Sequence, residues 1–76
     1  MRPGDLVTPA GPAVRECFHN HAEDVIGSAT LDPAAYWIVD VVHPCLVIAV
    51  HGSVALVFNP IAGLGWVQDD CFWRRA

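Results

Sequence analysis

The chain contains no lysine: its four basic residues are all arginines, Arg2, Arg15, Arg74 and Arg75, set against eight aspartates and glutamates for a net charge of -4. That balance argues against a nucleic-acid backbone as the main partner. Charge of either sign is scarce, at 16 % of residues against roughly 25 % in ordinary soluble domains. Hydrophobic residues reach 54 % of 76, which excludes disorder and leaves more apolar surface than one core of this size can hide. Self-association or a protein partner is the natural outlet. The three cysteines, Cys17, Cys45 and Cys71, are odd in number and form no CxxC pair, so a secreted disulfide scaffold is excluded. No apolar run follows the polar opening Met1-Arg2-Pro3-Gly4-Asp5, so no signal peptide is read and the cytoplasm is the expected compartment. The stretch from Tyr36 to Phe58 is long enough to cross a bilayer but carries Asp40, His43, Pro44, His51 and Gly52, which excludes a membrane helix. Nor does any segment sustain a helical stripe for three turns.

What remains is strand chemistry. Asp5-Leu6-Val7-Thr8 sits between the breakers Pro3-Gly4 and Pro9-Ala10-Gly11-Pro12 and reads as a short edge strand. From Ala13 to Pro33 the pattern loosens into a long, partly irregular loop: Val14 to Phe18 can extend, and His21 to Ile26 or Pro33 to Tyr36 can form a helical turn. Tyr36 to Val42 is a dense aromatic and β-branched run. Cys45–Val50 and Ser53–Phe58 flank His51-Gly52 and predict a hairpin, with Gly52 where positive φ is needed. Leu64–Gln68 follows the turn Asn59–Gly63, and after a tight turn at Asp69-Asp70-Cys71 the segment Phe72-Trp73-Arg74 closes the chain. Short strands that are apolar on at least one face gain by closing on themselves. The expectation is therefore one all-β domain over 1–76, a small five-stranded antiparallel barrel with a long loop after the first strand.

The order of elements resembles the Src-homology-3-like (SH3-like) barrel. The resemblance is carried by Gly4-Asp5-Leu6-Val7, the His51-Gly52 turn, and Gly63-Leu64-Gly65-Trp66-Val67 followed by Phe72. Small proteins with an opening Pro-Gly-Asp-Leu-Val and a late Gly-Trp-Val are common among phage and mobile-element products, and this chain is similar to them; absent lysine and abundant alanine and valine agree with a GC-rich bacterial source. The resemblance does not extend to proline-peptide binding. The positions of that groove's aromatic and proline residues fall here on Ser53, Gln68 and Cys71. The type II dihydrofolate reductases share this size and barrel, but their Val-Gln-Ile-Tyr pore motif survives only as Val67-Gln68.

Candidate chemistry is thin. Cys17, His19 and His21 alternate, so on an extended segment they would face one way as soft-metal ligands, with one of His43, Cys45 or His51 as a fourth. Their spacing matches no established zinc pattern, and a polar, pH-responsive loop is the preferred reading of them. Asp69-Asp70 reads as turn capping, Ser53 and His51 lack a nucleophile elbow, and Gly63-Leu64-Gly65 is too short for a phosphate loop. Cys45 and Cys71 read as small core fillers, and Trp66 as core.

The sequence thus predicts a non-enzymatic protein-interaction module, an adaptor or inhibitor that associates with itself, without cofactor. Both faces of the hairpin are apolar, and the row assigned outward is Cys45, Val47, Ala49, Ala55 and Val57, joined in partner binding by Trp37, Trp73 and Arg74. On that assignment Val47→Asp would leave a folded protein of smaller hydrodynamic size. The alternative is a zinc-binding regulatory protein using Cys17, His19 and His21.

Overall fold

A computed structural model describes residues 1–10, 15–26, 36–70 and 72–76. The strands are β1 (Leu6–Pro9), β2 (Arg15–His19), β3 (Tyr36–Asp40), β4 (Cys45–His51), β5 (Val54–Asn59), β6 (Gly63–Gln68) and β7 (Trp73–Arg75), with one short helix, α1 (Ala22–Ile26). They pair antiparallel in a single curled sheet, a half-barrel of order β3-β2-β6-β5-β4-β1-β7. The chain is all-β as expected, but with seven strands rather than five. Two edges also remain among the described residues, at β3 and β7, where a closed barrel would have none.

One of the additional strands, β2, comes from the segment read as a long loop. Its residues extend because β2 pairs along its whole length with β3, from Arg15 opposite Asp40 to His19 opposite Tyr36. Against β6, by contrast, its register is a single pair, His19 with Trp66. A close approach seats it there instead. Phe18 is fully buried and its ring lies on Gly65, where an added Cβ would stand 2.5 Å from Phe18 Cδ2 and 2.8 Å from Phe18 Cβ. Trp37, opposite Phe18 on β3, meets it edge to face at 5.9 Å. The helical turn expected from His21 to Ile26 is present as α1, packed beside β2, β5 and β6. The other turn, ahead of Tyr36, and Cys71 lie outside the described residues.

The β4–β5 hairpin forms with Gly52 at φ +60°, but its two-residue turn is Gly52-Ser53 rather than His51-Gly52, because His51 still pairs with Val54. A bulge shifts its register between Val47 and Ala49, which deepens the bend of β4. Inside the curl, Cys45 and Val47 of β4 meet Ala55 and Val57 of β5 and Val67 of β6, with Val7, Phe18, Val39, Val41 and Trp73 filling from the flanks. Asn59 is the buried polar member of that row. Its amide nitrogen donates to the His43 carbonyl at 3.1 Å and to Cys45 Sγ, and its Oδ1 accepts from the Ile61 and Ala62 amides at 2.9 and 3.1 Å. One side chain thereby shapes the β5–β6 turn and ties it to the segment entering β4.

Gly65→Ala is expected to lower unfolding stability by about 1–3 kcal/mol, because the Phe18 side chain leaves the methyl no room. Urea denaturation reads this as a lower midpoint at constant slope; an unchanged midpoint would mean that β2 is not seated on β6 by this contact.

Candidate functional site

Side chains alternate across the sheet, so every residue opposite or two away from an inward one also points inward. The row expected outward is the inward one. Cys45, Val47, Ala55 and Val57 are all at most 1 % exposed, and only Ala49, beyond the bulge, is partly open. The physical reason is size. A half-barrel curled this tightly leaves its concave side room for Cys, Val and Ala, while the larger members of each strand are turned out. Val47→Asp would therefore charge the core rather than release an interface.

The convex side carries the alternate set. Leu6 stands opposite Leu46, Leu46 opposite Phe58, and Phe58 opposite Leu64, so four adjacent strands contribute one transverse row, with Ile48 beside it at the bulge. These five side chains are between 36 % and 55 % exposed. None of them is charged, and neighbouring charges do not interrupt the row. Composition had announced surplus apolar surface, but no residue-level pattern distinguished the two faces of the hairpin. The signal available was the smallness of Cys45, Ala55 and Gly65, which share one face.

The tryptophans exchange the parts expected of them. Trp73, expected at an interface, is only 8 % exposed and belongs to the core, opposite Pro9. Trp66, expected in the core, lies half-buried on the convex side with its ring 5.7 Å from that of His51. Trp37 is half-buried against the core, and Arg74 is exposed on β7.

The potential metal ligands do not assemble. Cys17 and His19 do alternate along β2, but the chain turns into α1 at Asn20-His21 and leaves His21 exposed off the strand. His43 is exposed ahead of β4, Cys45 is buried beside Asn59, and His51 lies tilted against Trp66. Among the described residues no group of three His, Cys, Asp or Glu side chains is placed to hold a metal ion. Instead, Cys17 and His19 line a cavity of about 300 Å³ with Glu16, Val25, Gln68, Asp70 and Trp73. Burial raises the Cys17 and Cys45 thiols above their ordinary value, so neither is a ready thiolate. Burial likewise lowers His19, against an opposing pull from Asp24, and its buried Nδ1 has no hydrogen-bond partner. Glu16 is raised, first by burial and then by the charge of Asp70. Asp70 itself accepts the Phe72 amide at 3.0 Å and so caps the turn into β7, as adjacent turn acids do.

Compared with protein families, with curated proteins and with solved structures, the chain finds no match in any of the three. No helix among the described residues is long and apolar enough to cross a membrane.

His19 and Glu16 bear on stability in opposite directions as pH changes. His19, lowered in the fold, binds its proton more readily when unfolded, so stability is complete above about pH 6.5 and falls as pH drops through its depressed folded value. Glu16, raised in the fold, holds its proton longer when folded, so its charged form opposes folding once pH rises past its elevated value. Glu16→Gln is thus expected to raise the thermal midpoint at pH 7 and leave it unchanged at pH 3.5, where both side chains are neutral. His19→Gln should flatten the loss between pH 6.5 and 5. A gain from Glu16→Gln that is equal at both pH values would show that packing, not charge, is responsible.

Proposed function

We propose that this chain is a non-enzymatic, cytoplasmic protein-interaction module of the small SH3-like kind carried by phages and mobile elements, an adaptor or inhibitor that associates with itself through the convex face of its sheet. The observation supporting this is the uncharged row Leu6–Leu46–Phe58–Leu64 with Ile48 beside it. Contiguous apolar patches of more than a few hundred Å² are rare on monomers and mark contact surfaces.

Magnitudes set the strength of that contact. Completing the burial of a half-exposed leucine or phenylalanine contributes about 1 kcal/mol, so five on each of two copies supply about 10 kcal/mol against an association cost of about 4–15 kcal/mol. The two nearly balance. Assembly through this face is therefore concentration-dependent, and its strength rests on the polar surround completing the contact.

Sedimentation across a concentration series is expected to show a dimer or higher assembly for the native chain. Phe58→Asp and Leu64→Asp should each give a monomer with unchanged circular dichroism, since both side chains point to solvent in the free chain. A native chain that stays monomeric throughout overturns self-association, and assembly that survives both substitutions overturns the choice of face.

A further inference from the structure

β2 and β6 are joined at one point and part from it. Their register is the single pair of His19 and Trp66, although β6 runs on to Gln68 and β2 reaches back to Arg15. The cavity of about 300 Å³ lies where they separate. Glu16, Cys17 and His19 of β2 border it on one side, Gln68 and Asp70 on the other, and Val25 and Trp73 complete the lining.

Two backbone positions are left unpaired by this parting. In an antiparallel sheet, successive residues turn their amides alternately to one neighbouring strand and the other. The Asp69 amide donates to the Ser53 carbonyl at 2.8 Å, toward β5, so Val67 and Gly65 face β5 as well, whereas Gln68 and Trp66 face β2. Trp66 finds His19 there, and Cys17, two residues before His19, faces β6 in the same sense. Continued by two residues, the register would set Cys17 opposite Gln68, exchanging two backbone hydrogen bonds. Both residues instead border the cavity, and no pair joins them.

Two carboxylates occupy the same opening. Glu16 and Asp70 both line it, and neither has an ion-pair partner among the described residues. Asp70 Oδ1 accepts the Phe72 amide, which leaves Oδ2 for a second donor. The surrounding charges are engaged elsewhere: Arg15 with Asp40, Arg75 with Asp5, and Asp69 with the Met1 amino group. Arg74 is exposed on β7. Asp24 of α1 acts on His19, and the Cys17 and Cys45 thiols feel the charge of Glu16. Like charges on the walls of one small space oppose its contraction. Burial, and then the charge of Asp70, raise Glu16 above its ordinary value.

We propose that this opening is a proton-operated fastening of the sheet: it stands open while Glu16 and Asp70 are both charged, and one proton held between them lets β2 close on β6 through Cys17 and Gln68. The proton comes from solvent and binds Glu16, whose hydroxyl then donates to Asp70 Oδ2. Repulsion gives way to a charge-assisted hydrogen bond, and the ladder gains a pair. Because β3 is paired along the whole of β2, the fastening sets how firmly that hairpin is held to the rest of the sheet. This inference is independent of the convex row, none of whose side chains borders the opening.

The test follows the full ¹³C,¹⁵N-labelled chain by NMR between pH 8 and pH 4. As pH falls, the Cys17 and Gln68 amides are expected to gain about tenfold in protection from exchange, after correction for its intrinsic pH dependence. Couplings across the new hydrogen bonds should appear between Cys17 and Gln68. Both changes should share one midpoint, above the ordinary glutamate value, with the Glu16 and Asp70 carboxyl carbons. Glu16→Gln, whose amide can donate to Asp70 at every pH, should show the closed form already at pH 8. Asp70→Asn should move the midpoint down toward the ordinary glutamate value, while His19→Gln leaves it in place. Protection that does not change with pH overturns the proposal, as does protection gained without the couplings, which reports global stability alone. So does a transition that persists in Glu16→Gln, or one that is lost in His19→Gln, which would make the histidine the titrating group.

Discussion

The contact between the Phe18 ring and the bare backbone of Gly65 is the constraint on which the rest of this sheet depends. Without it β2 would have one register pair holding it to β6, and the β2–β3 hairpin would be an isolated two-stranded ribbon, which is marginal in water. With it, Phe18 is fully buried, Trp37 is brought in behind it, and the concave side gains the aromatic volume that Cys45, Val47, Ala55 and Val57 lack. A glycine in the middle of a strand ordinarily weakens it. Here the missing Cβ is replaced by a neighbour's ring, and a loss of local propensity becomes a tertiary contact.

The same contact explains which parts of the fold were legible in the sequence. The β4–β5 hairpin and β6 are local objects, made by dense β-branched runs and a glycine at a two-residue turn, and they stand where the pattern puts them. The opening strand and the turn before β7 were legible for the same reason, since Pro3-Gly4-Asp5 and Asp69-Asp70 carry their turn chemistry with them. β2 was not. Arg15-Glu16-Cys17-Phe18-His19 has no apolar alternation of its own, and its extension is imposed from a distance by β3 and by Gly65. A signal does exist in Gly65, whose place in mid-strand opposite Val57 calls for a partner above it.

Face assignment failed on a different physical ground. When both faces of a hairpin are apolar, period-two alternation says that two sets exist and not which one is inside. Curvature decides. A tightly curled sheet brings its concave side chains together, so the small set of Cys45, Val47, Ala55 and Val57 goes in and Leu46, Ile48 and Phe58 go out. The tryptophans follow from that choice. Trp73 enters the concave side from the last strand because it pairs with inward-facing Pro9, and Trp66 faces out because its neighbours Gly65 and Val67 face in. The metal-ligand reading failed more simply. Alternation along Cys17, His19 and His21 holds only while the strand lasts, and β2 ends at His19.

The outcome is a small domain whose two unspent surfaces differ in kind. Turning the larger residues outward leaves an uncharged convex row, so any partner there is selected by shape and apolar area, with little orientation supplied by charge. A groove beside β7 is the reverse: small in area, bordered by charges of both signs, and ordered by a carboxylate that fixes one arginine's side chain and another's backbone. In a chain with four basic residues, placing three of them around one Asp5-centred turn concentrates nearly all of its positive charge where the net field is otherwise negative. Asp5 makes that possible by accepting from the Arg2 amide and the Arg75 guanidinium at once. The apolar row and the charged groove therefore present different chemistry, apolar area on one and paired charge on the other.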